Sequence, residues 1–132
     1  MTNDTPVLDT LVNEIPADWR TEVQTQLQTH ENVLASLEVD LDTKLRFVKG
    51  LVLVTNQRLM GRAAGESGWH SWDYRPGLAL KHHDHAGVGH LQILDEQALL
   101  ASWRFTLGQN LQAIRLFDQF NSQLQSHVSG RP

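Results

Sequence analysis

Residues 99–128 read LLASWRFTLGQNLQAIRLFDQFNSQLQSHV, and the change of period inside this stretch decides the fold. Leu99, Ala101, Trp103, Phe105 and Leu107 alternate with Leu100, Ser102, Arg104 and Thr106. A two-residue period is that of a strand with one apolar face. Past Gly108 the spacing lengthens. Leu107, Leu111, Ile114, Phe117, Phe120, Leu124 and Val128 recur every three or four residues, the repeat of an amphipathic helix. The pattern predicts a helix over about 110–127, with Asn110 as its N-cap. A strand array with one apolar face must cover it, and the oily stripe of this helix is the expected cover.

Working back toward the N-terminus, the two-residue period persists. Val33, Ala35, Leu37, Val39 and Leu41 alternate with Leu34, Ser36, Glu38 and Asp40. Asp40-Leu41-Asp42-Thr43 supplies a turn, Leu45 and Phe47 resume the alternation, and Leu51-Val52-Leu53-Val54 is a continuous apolar run. Gly50 suggests a bulge or bend. Thr55-Asn56-Gln57 is a tight turn before a third strand over 58–64. Further strands are expected over 69–75, 78–83 and 89–94, divided by Pro76-Gly77 and by Asp84-His85-Ala86-Gly87. Upstream, Trp19, Val23 and Leu27 mark one face of a helix over about 17–30. Seven short strands with short connections give an antiparallel meander. The expected fold is α+β and mainly β, a bent barrel of about seven strands closed by the C-terminal helix, with an extra N-terminal helix. Residues 1–15 read as an extension, 16–128 as the domain, and 129–132 as the start of a linker.

The chain has 132 residues, a length for one domain. A formal net charge of −4 argues against a nucleic-acid partner. The absence of cysteine excludes disulfides and thiolate chemistry and fits a reducing cytoplasm. No apolar run reaches the ~20 residues that span a bilayer, and the acidic N-terminus lacks the basic start of a secretory leader.

Leu51-Val52-Leu53-Val54-Thr55-Asn56-Gln57-Arg58-Leu59-Met60 resembles the "hydrophobic run, Thr-Asn-x-Arg-Leu" hairpin of bacterial pleckstrin-homology (PH) and GRAM domains. Leu37 to Phe47, the Trp69-x-x-Trp72 pair and Asp84 to Gly89 resemble the N-terminal cytoplasmic domain that precedes the membrane portion of some bacterial ABC exporters. The resemblance spans roughly residues 16–128. It implies a PH-like, non-catalytic regulatory or protein-interaction module at the inner face of the inner membrane. Its partner would be another protein or the rest of its own transporter, with membrane association indirect. No G-x-x-x-x-G-K-[ST] occurs, so nucleotide binding by a P-loop is excluded, and no cofactor is expected.

Three constellations carry candidate chemistry. His82, His83, His85 and His90 lie within nine residues, and His83, His85 and His90 are candidate zinc or nickel ligands for a metal-binding protein or enzyme. On a strand His82 and His83 point to opposite faces, and the turn expected at Asp84-His85 separates His83 from His85. Lys44, Arg46 and Lys49 are candidate ligands for an anionic lipid headgroup, although Asp40 and Asp42 stand beside them. Trp19, Trp69 and Trp72 are candidates for a partner surface; Trp69 and Trp72, three apart, should face opposite sides of one strand. The serines and histidines form no nucleophile–base motif, so no catalytic residue is expected.

Overall fold

The computed structural model describes residues 15–42, 44–63 and 66–129 of the chain. Residues 1–14 of the expected extension and 130–132 of the expected linker lie outside the described residues. In chain order come α1 (Ala17–Gln26), β1 (Val33–Leu41), β2 (Phe47–Thr55), β3 (Arg58–Arg62), β4 (His70–Asp73), β5 (Leu78–His85), β6 (Val88–Asp95) and β7 (Ala98–Thr106). A 3-10 turn (Leu107–Gln109) then leads into α2 (Asn110–Ser129). The strands form one antiparallel sheet in the order β4-β3-β2-β1-β7-β6-β5. The mainly β, α+β layout matches the sequence reading.

Two cores explain why the β2 run is apolar without alternation. Val52 and Val54 point into the main core with Leu37, Leu59, Leu91, Trp103 and Phe105. Leu51 and Leu53 point the other way, into a second core with Ile15, Trp19, Val23, Val33 and Met60. Helix α1 therefore lies on the outer side of β1–β3, and β2 is buried on both faces. A strand covered twice loses its polar face. Where β1 and β2 pair, the register passes from Val39–Gly50 to Leu41–Phe47, so β2 carries an extra residue beside Gly50. This is the irregularity its glycine suggested.

The sheet is open where a barrel was expected: its edges are β4 and β5. β4 spans only four residues, and side chains fill the seam instead of a hydrogen-bonded ladder. Tyr74 sits there, its ring centroid 5.6 Å from Phe120 and 4.8 Å from His127, with its hydroxyl donating to Thr55 O at 2.6 Å. Across the main core, Trp72 of β4 meets Trp103 of β7 edge to face at 5.9 Å. The two halves approach closely at Gly61, where a Cβ would stand 2.6 Å from Trp103 Cζ2; within the β6–β7 pair, a Cβ on Gly89 would stand 2.2 Å from Phe105 Cε2.

Three boundaries and one face differ from the sequence reading. α1 stops at Gln26, not near His30, because Leu27 turns extended (ψ 141°) and the Gln26 carbonyl accepts from Arg58 Nη2 at 2.8 Å. β5 runs on through Asp84 to His85, and the turn falls at Ala86-Gly87, both with positive φ (53° and 82°). Such two-residue turns match strand twist, so the hairpin needs no break at Asp84. Asn110 is not an N-cap; it is already helical (φ −65°, ψ −34°) behind the 3-10 turn. The α2 face that seals the sheet is Ala113, Leu116 and Phe120, with Phe117 and Leu124 half-buried beside it. Leu107, Leu111 and Ile114 face water. The apolar arc of α2 is wider than the sheet can cover, and the spacing alone does not say which part docks.

Candidate functional site

The hairpin Thr55-Asn56-Gln57-Arg58 is held by polar bonds that periodicity gave no sign of. Thr55 Oγ1 accepts from the backbone N–H groups of Gln57 and Arg58, both at 3.0 Å, and donates to Glu31 Oε2 at 2.6 Å. Arg58 reaches the same carboxylate with Nε at 2.9 Å and Nη2 at 3.1 Å. Asn56 spans the gap to the chain before β1, accepting from Asn32 N at 2.7 Å and donating to His30 O at 3.0 Å. Glu31 is 6% exposed. Burial pushes its carboxyl up, but the bonds from Arg58, Thr55 and the Gln28 N–H, with the Arg58 charge, outweigh that and hold it below the ordinary value. The phenol of Tyr74, beside this network, is pushed up by burial and secondarily by the Glu31 charge. Glu31 was missed by sequence reasoning. The available signal was Arg58, a cation opening a strand whose next three residues are buried. Each polar group here has a partner, so the network braces the fold.

The tryptophans are divided between the two cores. Trp19 is buried, donates to Glu38 Oε2 at 2.9 Å and lies under the Arg62 guanidinium, 5.3 Å from its ring centroid. Trp69 meets Trp19 edge to face at 6.3 Å and donates to Glu22 Oε2 at 2.7 Å. Arg62 pairs with the same Glu22. These contacts fasten α1 to the sheet. Trp72, half-buried on the opposite side of the chain from Trp69, lines a shallow cleft of about 290 Å³ with His70, Leu100 and Trp103. The expected opposition of Trp69 and Trp72 is therefore observed.

The basic trio is not brought together as one grip. Lys44 and Arg46 lie in the β1–β2 connection, not on a strand. Asp42 organises that connection: its Oδ1 accepts from Lys44 N at 2.8 Å and Arg46 N at 2.9 Å, and its Oδ2 pairs with Arg46 Nε at 2.8 Å. The backbone bond from Arg46, with the side-chain and charge contributions that follow, holds the Asp42 carboxyl below the ordinary value despite some desolvation. Lys49 stands exposed on β2. The same connection presents Leu45 and Phe47 to water, Phe47 at 81% exposure. At this end Leu41 pairs with both Phe47 and Arg104, and Asp40 accepts from Thr106 N at 2.8 Å and Thr106 Oγ1 at 2.6 Å. The exposed Leu107, Leu111 and Ile114 follow directly from Thr106. One end of the molecule thus carries five exposed apolar side chains.

The histidines separate by face. His82 turns inward, its ring near Phe105 and Phe117 and its Nε2 3.2 Å from Asn110 Oδ1. His83 turns outward and opposes His90 across β5–β6, the rings parallel within 3° with centroids 5.0 Å apart. His85 shares the face of His83 because β5 continues through Asp84, contrary to the expected break. Among the described residues no group of three or more His, Asp or Glu is placed to hold a metal ion.

A cleft of about 580 Å³ lies between β1 and α2, lined by Leu34, Ser36, Gln112, Arg115 and Asp118 among others, with no nucleophile beside a base. Among the described residues no helix is long and apolar enough to cross a membrane. Comparison with protein-family models, curated proteins and solved structures finds no match to this chain. Fold and surfaces together define the chain as an α+β domain, an antiparallel sheet between two helices.

Proposed function

We propose that this is a non-catalytic protein-interaction module of PH-like type, working as a regulatory domain of a bacterial ABC exporter. The observation that carries the interaction reading is the exposed apolar end, Leu45, Phe47, Leu107, Leu111 and Ile114. Five large apolar groups clustered at one end of a small domain mark a docking surface more often than chance exposure does. The interior polar groups, Glu31, Thr55, Arg58 and Tyr74, are all engaged with each other, which leaves the surface as the place for function. The PH-like reading is supported by the strand order with β1 between two three-stranded halves and a C-terminal helix against them. The transporter reading rests on the sequence resemblance over residues 37–47, 69–72 and 84–89.

A photo-crosslinking residue in place of Leu111, introduced into the full-length gene product, tests the reading. A single adduct with another part of the transporter, lost on Phe47→Ser, is the expected result. An absence of adduct, or one indifferent to Phe47→Ser, refutes the docking surface. A reading frame without transmembrane helices after Pro132 would remove the exporter while leaving the docking surface to be judged alone.

A second reading has its own support. Phe47 lies between Lys44 and Lys49 along the chain, and neither lysine has a carboxylate partner among the described residues. An apolar tip flanked by cations suits an anionic lipid surface. Vesicle sedimentation that falls with Phe47→Ser and with Lys44→Glu in equal measure would favour this reading over a protein partner.

A further inference from the structure

The outer sides of the two sheet halves differ. Helix α1 covers β1–β3, while among the described residues no element packs on the outer side of β5–β7. By alternation that face carries Lys81, His83 and His85 from β5, Val88, His90 and Gln92 from β6, and Ser102, Arg104 and Thr106 from β7. Register sets His83, His90 and Arg104 in one row across three strands: His83 opposes His90, and His90 opposes Arg104. Lys81 and His85 flank the row.

Among the described residues, none of these five basic side chains makes a hydrogen bond or ion pair. Arg46, Arg58, Arg62 and Arg75 each have a carboxylate partner; Arg104 has none among the described residues. The nearby carboxylates are committed elsewhere. Asp40 at the end of the face is bonded to Thr106, and Asp84 leaves β5 on the side of His82. In a chain of formal net charge −4, this face gathers five basic side chains, with the Asp40 carboxylate at its end.

We propose that His83, His90 and Arg104 form a proton-linked binding site for a tetrahedral oxyanion of the phosphate class. Adjacent strands lie ~4.8 Å apart, so a row of three donors spans a distance that one phosphate group can bridge between neighbours. Arg104 supplies a permanent forked cation, and the two imidazoles supply N–H donors that become charged as pH falls. Without an anion, protonating the row sets like charges side by side. Desolvation first, then the charges of His83, Arg104 and His85, holds the His90 imidazole below its ordinary value. A bound dianion reverses that repulsion, and by linkage its binding takes up protons. Through Arg104, which pairs with Leu41, the site adjoins the apolar end proposed for docking, but its donors lie on β5–β7 and its test does not depend on that reading.

The test titrates the protein with inorganic phosphate and with sulfate, whose charge does not change between about pH 6 and about pH 8, while histidine ring protons are followed by NMR. The expected result is that the His83 and His90 signals move and those of His82 and His127 do not. Sulfate affinity should fall about tenfold or more between about pH 6 and about pH 8, as expected when at least one proton is taken up on binding. Arg104→Gln and His90→Asn should each weaken binding at least about fivefold. In a second arm, vesicles of phosphatidylglycerol are compared with vesicles of phosphatidylcholine alone. Binding to the anionic vesicles with the same pH and Arg104 dependence, without free-anion binding, assigns the site to a lipid headgroup. Binding of free anions assigns it to a soluble phosphate group. No movement of the wild-type His83 and His90 signals in either arm overturns the proposal, as does pH-independent binding or binding that survives Arg104→Gln. The wild-type ring signals keep the test decisive even where a variant folds poorly.

Discussion

Replacing Arg58 by leucine strips the counter-charge from a buried carboxylate, and the structure fixes what remains. Glu31 loses bonds of 2.9 and 3.1 Å and keeps only those from Thr55 Oγ1 at 2.6 Å and Gln28 N at 2.8 Å. The Gln26 carbonyl that ends α1 loses its donor as well. Hydrogen bonds to charged groups are worth about 1.5–3 kcal/mol each. Breaking a buried ion pair from one side costs about 3–5 kcal/mol. The Glu31 side chain is fully covered, but that of Arg58 keeps 11% exposure, so the lower part of that range applies, about 3 kcal/mol at neutral pH. For a domain of this size the midpoint of thermal unfolding should drop by about 10 °C.

The pH dependence gives the sharper check. In the wild type the Glu31 carboxyl is held below its ordinary value of 4.5, so its contribution is present above that value and lost as pH falls through the folded-state one. Without Arg58 its hydrogen bond and its charge no longer lower the carboxyl, which rises from its wild-type value. The folded variant then binds more protons than the folded wild type, and the penalty shrinks as pH is lowered from about 7 to about 4. Urea denaturation across that range should show the gap between wild type and variant closing. Adding Glu31→Gln to Arg58→Leu should restore part of the loss at neutral pH. A loss below about 1 kcal/mol, or a gap that does not change with pH, would refute the reasoning.

Gly89→Ala places a methyl group 2.2 Å from the buried Phe105 ring and should cost about 1–3 kcal/mol by chemical denaturation; an unchanged midpoint would mean the ring moves freely aside. Gln97 holds a positive φ of 75° in the β6–β7 turn without being glycine, so Gln97→Gly should stabilise by up to about 1 kcal/mol, read as a raised melting temperature. Phe47→Ser and Leu111→Gln touch only exposed groups, and each should change stability by no more than about 0.5 kcal/mol. A larger loss by urea denaturation would show that these side chains support the fold and are not held out for a partner.

Much of the architecture was legible in the sequence. The two-residue period of Val33 to Leu41 and of Leu99 to Leu107 and the helical period beyond Gly108 placed the strands and α2, because alternation and helical repeat are local consequences of which side faces water. The opposite outlooks of Trp69 and Trp72, and of His82 and His83, were legible for the same reason. Tertiary structure decided what depends on residues distant along the chain. Glu31 is a surface-like residue by composition and becomes buried only because Arg58, 27 positions later, meets it. The end of α1 is set by that same arginine. Which arc of α2 docks was settled by the shape of the sheet, so Leu116 and Phe120 were buried and Leu111 was left in water. The row His83–His90–Arg104 exists only through strand register, since periodicity records the face a side chain takes and carries no information about the neighbour it meets there.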